Sequence, residues 1–115
     1  MAKRFSILVV DDDDVFRKRL VRALCDRGHA ARGAGSYDDA MASAKNDAPE
    51  FVILDVRMPG RSGLELARDL RILLSSLRIV LLTGLRAAEV EADDLAVAHL
   101  RKPADVDEIL AAMSE

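Results

Sequence analysis

The sequence predicts an α/β fold, a doubly wound parallel sheet with helices on both faces. Two observations carry that expectation. Apolar runs of strand length alternate with stretches of helical periodicity five times along 115 residues. The cleanest runs, at residues 5–10, 51–54 and 79–82, show almost no polar alternation, the pattern of strands buried on both faces. Parallel strands of this kind need long crossovers, and right-handed crossovers through helices wind the sheet doubly.

Residues 5–10 form the first strand. Asp14 is expected to cap a helix reaching about Arg27, with Val15, Leu20, Val21 and Leu24 on its inner face and Asp13 in a solvated loop. Gly28 follows as a helix stop. Residues 29–34 read as a second strand, weak because they are poor in β-branched residues. A second helix begins at Ser36, with Asp39 at the capping-box position. Pro49 ends the next connection, and residues 51–54 form the third strand. Ser62 and Glu65 make an S-x-x-E capping box for a helix reaching about Leu74. A fourth strand at 79–82, a helix over about 86–94 and a short fifth strand at 96–100 follow. Asp105 and Glu108 cap the last helix, which carries Val106, Ile109, Leu110 and Met113. The expected architecture is therefore a flavodoxin-like (βα)5 unit, whose common strand order at this size is 2-1-3-4-5.

The length suits one domain over residues 1–115. Half the residues are hydrophobic and the net charge is -3, which leaves no basic footprint for nucleic acid. Aromatics at 3% provide no base-stacking platform. Cys25 is the only cysteine, so no intrachain disulfide or thiolate metal cluster can form; it reads as a small buried hydrophobe. Lys3 and Arg4 precede an apolar run, but that run ends in four aspartates and is too short for a signal peptide. Nothing approaches a membrane span. The expectation is a soluble cytoplasmic protein that binds neither membrane nor nucleic acid directly.

In a doubly wound sheet, ligands bind beyond the carboxyl ends of the strands. The residues at those ends are informative here. Asp11 and Asp12 follow the first strand, Asp55 the third, Thr83 the fourth, and Lys102 with Pro103 the fifth. Each alone would be an ordinary loop residue; their shared end of the sheet raises them together. Three converging carboxylates repel one another unless a cation joins them. Oxygen donors favour a hard divalent ion, Mg²⁺ or Mn²⁺. Lys102 adds positive charge and Thr83 a hydroxyl for a phosphoryl oxygen. This set suits phosphoryl transfer to a carboxylate, where catalysis is mostly positioning and charge neutralisation.

The segments VVDDDD, LDVRMPGRSGLEL, LLTG and LRKP resemble the signature segments of CheY-like receiver domains of two-component response regulators, over nearly the whole chain. The resemblance implies that Asp55 is the phosphoacceptor. It implies that Asp11 and Asp12 help hold Mg²⁺, Asp12 more directly, with the backbone carbonyl of Arg57 as a further ligand. Thr83 becomes the switch hydroxyl, and Lys102 pairs with the acceptor carboxylate or the phosphoryl group. Such a protein is a phosphorelay switch rather than a turnover enzyme, although its phosphorylation and dephosphorylation are self-catalysed. The implied partner is a sensor histidine kinase or phosphotransfer protein. A phosphorylation-dependent homodimer and a DNA-binding output domain outside this chain belong to the same set of expectations. The stretch RKPADVDEIL resembles redox-responsive global regulators of proteobacteria.

The departures from the family pattern matter too. His99 stands where the family usually carries an aromatic switch residue, and it also reads as a plain half-buried strand residue. The segment from Thr83 to Lys102 is about one helical turn shorter than in CheY itself, which leaves the fourth helix and the choice of output partner open. Two rival functions remain at this point. Asp11, Asp13 and Val15 fit the D-x-D-x-V motif of haloacid dehalogenase-like phosphatases, which would put the phosphoryl group on Asp11. A pseudo-receiver, an interaction module without turnover, would keep the fold and lose the chemistry.

Overall fold

A computed structural model describes residues 4–58, 62–83, 98–101 and 105–113, with backbone alone at residues 83, 98, 99 and 101. The strands are β1 (Ser6–Val10), β2 (Ala30–Ala34), β3 (Phe51–Asp55), β4 (Arg78–Thr83) and β5 (Ala98–Arg101). The helices are α1 (Asp14–Asp26), α2 (Tyr37–Asn46), α3 (Gly63–Leu73) and α4 (Val106–Met113). All strand pairs are parallel, in the order β2-β1-β3-β4-β5.

The expectation of a complete (βα)5 unit is corrected. The described residues form five strands and four helices, the fourth helix following β5. The helix expected over 86–94 lies outside the described residues.

The alternation of side chains along each strand divides the core in two. Leu8, Val10, Val52, Leu54, Ile79 and Leu81 point to one face, where Ala40 and Ala44 of α2 and Leu66, Ala67 and Leu70 of α3 cover them. Ile7, Val9, Phe51, Ile53, Val80 and Leu82 point to the other, beneath Leu20 and Leu24 of α1 and Ile109 and Met113 of α4. Burial on both faces is what makes β1, β3 and β4 read as continuous apolar runs.

Three local expectations fail. Asp13, not Asp14, caps α1: its side chain accepts from the Phe16 amide at 3.1 Å. Asp14 is the first helical residue and pairs with Arg17. Val15 is 60% exposed, because at 100° per residue it lies well off the line through Phe16, Leu20 and Leu24, which share a face at spacings of four. Cys25 is exposed rather than buried, since it is rotated one step from the buried Leu24. The other caps hold. Ser36 accepts from Asp39 N, Ser62 from Leu64 N, and Asp105 and Glu108 bond each other's amides. Gly28 takes φ +92, a conformation other residues adopt only under strain.

Candidate functional site

The apolar content of β1 and β3 fixes where their carboxylates emerge. β1 ends at Val10, so Asp11 leaves the sheet at its carboxyl edge, still hydrogen-bonded through its amide to the Ala34 carbonyl of β2 at 3.2 Å. β3 runs one residue further than expected and ends on Asp55 itself. β1 and β3 are neighbours in register, with Val10 opposite Leu54. Three carboxylates thereby meet at the switch point of the sheet. One carboxylate oxygen from each of Asp11, Asp12 and Asp55 lies within 4.8 Å of the others. Asp11 is 1% exposed and Asp55 7%, the two buried charged residues among those described, while Asp12 faces solvent.

Burying two carboxylates beside a third is costly unless they are hydrogen-bonded or share a cation. Short bonds from the following backbone provide part of that. The Asp13 amide donates to Asp11 Oδ1 at 2.9 Å, and the Arg57 amide to Asp55 Oδ1 at 3.0 Å. Each is a local turn in which the side chain accepts from a residue two positions on. They fix the rotation of both carboxylates. An all-oxygen donor set of high negative charge fits a hard divalent cation such as Mg²⁺, so the donors present suit the ion that the sequence predicts.

Thr83 is the last residue of β4, one position past Leu82, which pairs with Asp55. Its own strand partner is Arg101. Its side chain lies outside those described, as does the side chain of His99, whose backbone pairs with Leu81. Lys102 lies outside the described residues altogether. The side chain of Arg57 is exposed. The structure therefore brings the three aspartates together and adds the backbone of Thr83 at the same end of the sheet.

Two residues that the sequence did not single out shape this end. Gly63, the first residue of α3, lies directly behind the acceptor strand: a Cβ there would fall 2.2 Å from the Asp55 carbonyl oxygen. Its amide donates to the Val56 carbonyl at 3.0 Å. The signal was a glycine straight after a capping serine, with no turn to justify it. Arg17 reaches back from α1 to the loop that carries Asp11 and Asp12, and no spacing in the sequence announces that.

A groove of about 600 Å³ lies at the opposite end of the sheet, lined in part by Phe5, Pro49, Phe51, Leu74 and Arg78. The carboxylates instead form a charged edge at the carboxyl end of the sheet. No helix among the described residues is long and apolar enough to cross a membrane.

Comparison with known proteins agrees with this geometry. The family described as the response regulator receiver domain matches residues 7–114. The acid tolerance regulatory protein ActR of Rhizobium meliloti is 40% identical over 111 residues, covering 94% of this chain and 57% of ActR. The photosynthetic apparatus regulatory protein RegA of Rhodobacter capsulatus is 36% identical, covering 94% of this chain and 60% of RegA. This chain thus spans less than two thirds of these curated relatives. Among solved structures, a response regulator from Burkholderia pseudomallei with a phosphorylated aspartic acid, calcium ion and citrate is 38% identical, with a TM-score of 0.83 over 92% of this chain and 64% of that one. The receiver domain of NtrX from Brucella abortus is 32% identical, with a TM-score of 0.84 over 94% and 95% of the two chains.

Proposed function

The chain belongs to the response regulator receiver domain family, and from that premise we propose that Asp55 accepts a phosphoryl group from a phosphohistidine and so switches an output surface. It is a phosphoacceptor of two-component signalling, not a turnover enzyme. The observation that carries the assignment to Asp55 is its position: a buried carboxylate at the end of β3, within 4.8 Å of those of Asp11 and Asp12. In the transfer, an Asp55 oxygen forms a bond to phosphorus as the bond from phosphorus to the donor histidine nitrogen breaks. The Arg57 amide donates to Oδ1 and fixes the rotation of the Asp55 carboxylate. Asp11, Asp12 and Asp55 hold Mg²⁺, with the Arg57 carbonyl as a further ligand. When bound, the ion neutralises the carboxylates and the phosphoryl oxygens.

The remaining roles belong to the same proposal. Thr83, at the end of β4 beside β3, offers its hydroxyl to the phosphoryl group. Lys102, directly after β5, offers its ammonium. The phosphoryl group brings nearly two negative charges and new acceptor oxygens, and it shifts the population toward a state in which Thr83 and the segment after it have moved. His99, in β5 beside β4, takes part in that switch. Residues 1–115 act as one receiver unit. A sensor histidine kinase or phosphotransfer protein is the donor, and a phosphorylation-dependent homodimer or a DNA-binding output domain transmits the change. The greater length of the curated relatives supports an output segment beyond this unit.

The phosphatase alternative is disfavoured by Asp13, a member of its D-x-D-x-V motif, whose carboxylate here caps α1 by accepting from the Phe16 amide. The deciding experiment is labelling with a small phosphodonor and Mg²⁺, followed by mass-spectrometric mapping. Label is expected on Asp55, with none on a folded Asp55→Asn variant. Label on Asp11 would overturn the proposal.

A further inference from the structure

Arg17 has no assigned part in phosphoryl transfer, yet its side chain is engaged on three sides. Nη1 donates to the Asp11 carbonyl at 2.7 Å. Nη2 donates to Asp14 Oδ1 at 2.5 Å. The stem and guanidinium lie across the end of β2, over Gly33 and Gly35. A Cβ on Gly33 would come within 3.0 Å of Arg17 Cγ and Cδ, and one on Gly35 within 2.8 Å of Nη1. Neither glycine has a positive φ, so the turn does not require them; the arginine does. The side chain is only 15% exposed although its partner Asp14 is 70% exposed.

We propose that Arg17 is a positioning residue for the metal site, a clamp on the loop that carries Asp11 and Asp12. That loop is held at both ends. The Asp11 amide is tied to Ala34, and its carbonyl to Arg17. On the far side, Asp13 caps the helix and Asp14 is tied to Arg17 again. Asp12 sits between these anchors. As the exposed member of three like charges, it is the one that repulsion would drive outward into water. Fixing the backbone on both sides keeps its carboxylate near the other two before the cation arrives. The trough of Gly33 and Gly35 gives the guanidinium room to reach the Asp11 carbonyl.

Two physical effects of Arg17 have opposite signs, and the sign decides between them. As a mere positive charge near the site, Arg17 would repel Mg²⁺, and its removal would tighten binding. As a clamp, its removal frees the loop and weakens binding. Groups that orient metal ligands commonly contribute about ten- to a hundredfold in affinity. The clamp thus predicts Mg²⁺ binding weakened about tenfold in Arg17→Ala.

This inference rests on the reading of the three aspartates as the Mg²⁺ site, which wild type against Asp12→Ala tests by itself. The experiment is Mg²⁺ titration of the full chain by calorimetry or NMR, with a urea midpoint for every variant. Arg17→Ala should bind about tenfold more weakly than wild type, and Arg17→Lys, which keeps the stem and charge but lacks the planar fork that spans both acceptors, should fall between them. Gly35→Ala should weaken binding in the same direction by displacing Nη1, yet add nothing in the Arg17→Ala background. Should Arg17→Ala not fold, Arg17→Lys and Gly35→Ala carry the same test. Unchanged or tighter Mg²⁺ binding in the folded variants, or additive effects of the two substitutions, would overturn the clamp. A lowered urea midpoint with intact affinity would assign Arg17 to stability alone and overturn it equally. Wild type that binds no Mg²⁺, or Asp12→Ala that still binds it, would remove the site and the clamp together.

Discussion

The two ends of the sheet are built from similar residue types and behave in opposite ways. At the amino end, polar and aromatic groups of the described residues meet complements. The Ser6 amide donates to Glu50 Oε1 at 3.0 Å, and the Phe5 amide to His29 Nδ1 at 3.1 Å. The Phe5 ring stacks on His29 and meets Phe51 edge-on, while the Arg78 guanidinium lies over the Phe51 face. At the carboxyl end, three carboxylates of one sign converge, two of them buried. Between the two ends, residues 7–10, 51–54 and 79–82 are apolar. The difference shows where this fold stores its function: one end closes the sheet, and the other gathers like charges in a donor set that suits a divalent cation.

β3 connects the two ends, so substitutions at its termini separate stability from function. Phe51→Ala removes a 1% exposed ring and its two aromatic and cationic contacts. Its expected cost is about 3–5 kcal/mol of stability, read as a lower urea midpoint, with Mg²⁺ affinity of the folded fraction unchanged. Asp55→Asn at the other end removes one of three like charges. In Mg²⁺-free buffer its midpoint should equal or exceed that of wild type, while Mg²⁺ binding is lost. A large loss of stability in Asp55→Asn without Mg²⁺ would mean that the carboxyl end is not under electrostatic strain, and the contrast would fail.

The glycines sharpen the comparison at smaller cost. Gly63→Ala puts a methyl against the Asp55 carbonyl, where the ideal position is 2.2 Å from oxygen. Either α3 or the end of β3 must move. Overpacking of this kind costs about 1–3 kcal/mol, and because Asp55 itself shifts, Mg²⁺ binding should weaken as well. Gly28 lies in the turn before β2, with φ +92 and nothing within 4 Å of a would-be Cβ. Gly28→Ala should cost about 1–2 kcal/mol from backbone strain alone and leave Mg²⁺ affinity untouched. Equal effects of the two on Mg²⁺ binding, measured by calorimetry, would show that the site does not depend on close packing behind Asp55.

Much of this was legible in the sequence because strands buried on both faces announce themselves. Where an apolar run ends, the next polar residue must leave the sheet, and Asp11 and Asp55 follow from that rule. The order of capping aspartates was not legible. Asp12, Asp13 and Asp14 can all accept from a helix amide, and one residue of difference in the end of β1 decides which does. Arg17 and Gly63 were missed for another reason: their partners lie on other elements, so their meaning exists only after folding. The signal for a helix over 86–94 is thin, since RAAEVEADD has one large apolar residue, Val90, to define a packing face.

Opposite charges paired on the helix layer provide the weakest and most condition-dependent contrast with the three like charges. Arg27, the C-cap of α1, donates to Asp107 in the first turn of α4. The hydrogen bond from Arg27, and then its charge, hold the Asp107 carboxyl below its ordinary value of 3.8. The same bond and charge in reverse raise the Arg27 guanidinium above its ordinary range. A carboxyl whose pKa is lower in the folded state contributes stability that is present above the unfolded value and lost as pH falls through the folded one. Asp107→Asn should therefore lower the urea midpoint slightly at neutral pH. The difference from wild type should shrink once pH drops below 3.8 and vanish in stronger acid. Both side chains are open to solvent, so added monovalent salt should shrink it too. Mg²⁺ at the three aspartates should leave it unchanged, because the pair takes no part in that site. A midpoint difference that persists in acid and in high salt would mean that the contact between α1 and α4 is held by packing, and that Arg27 and Asp107 contribute no ionic stabilisation.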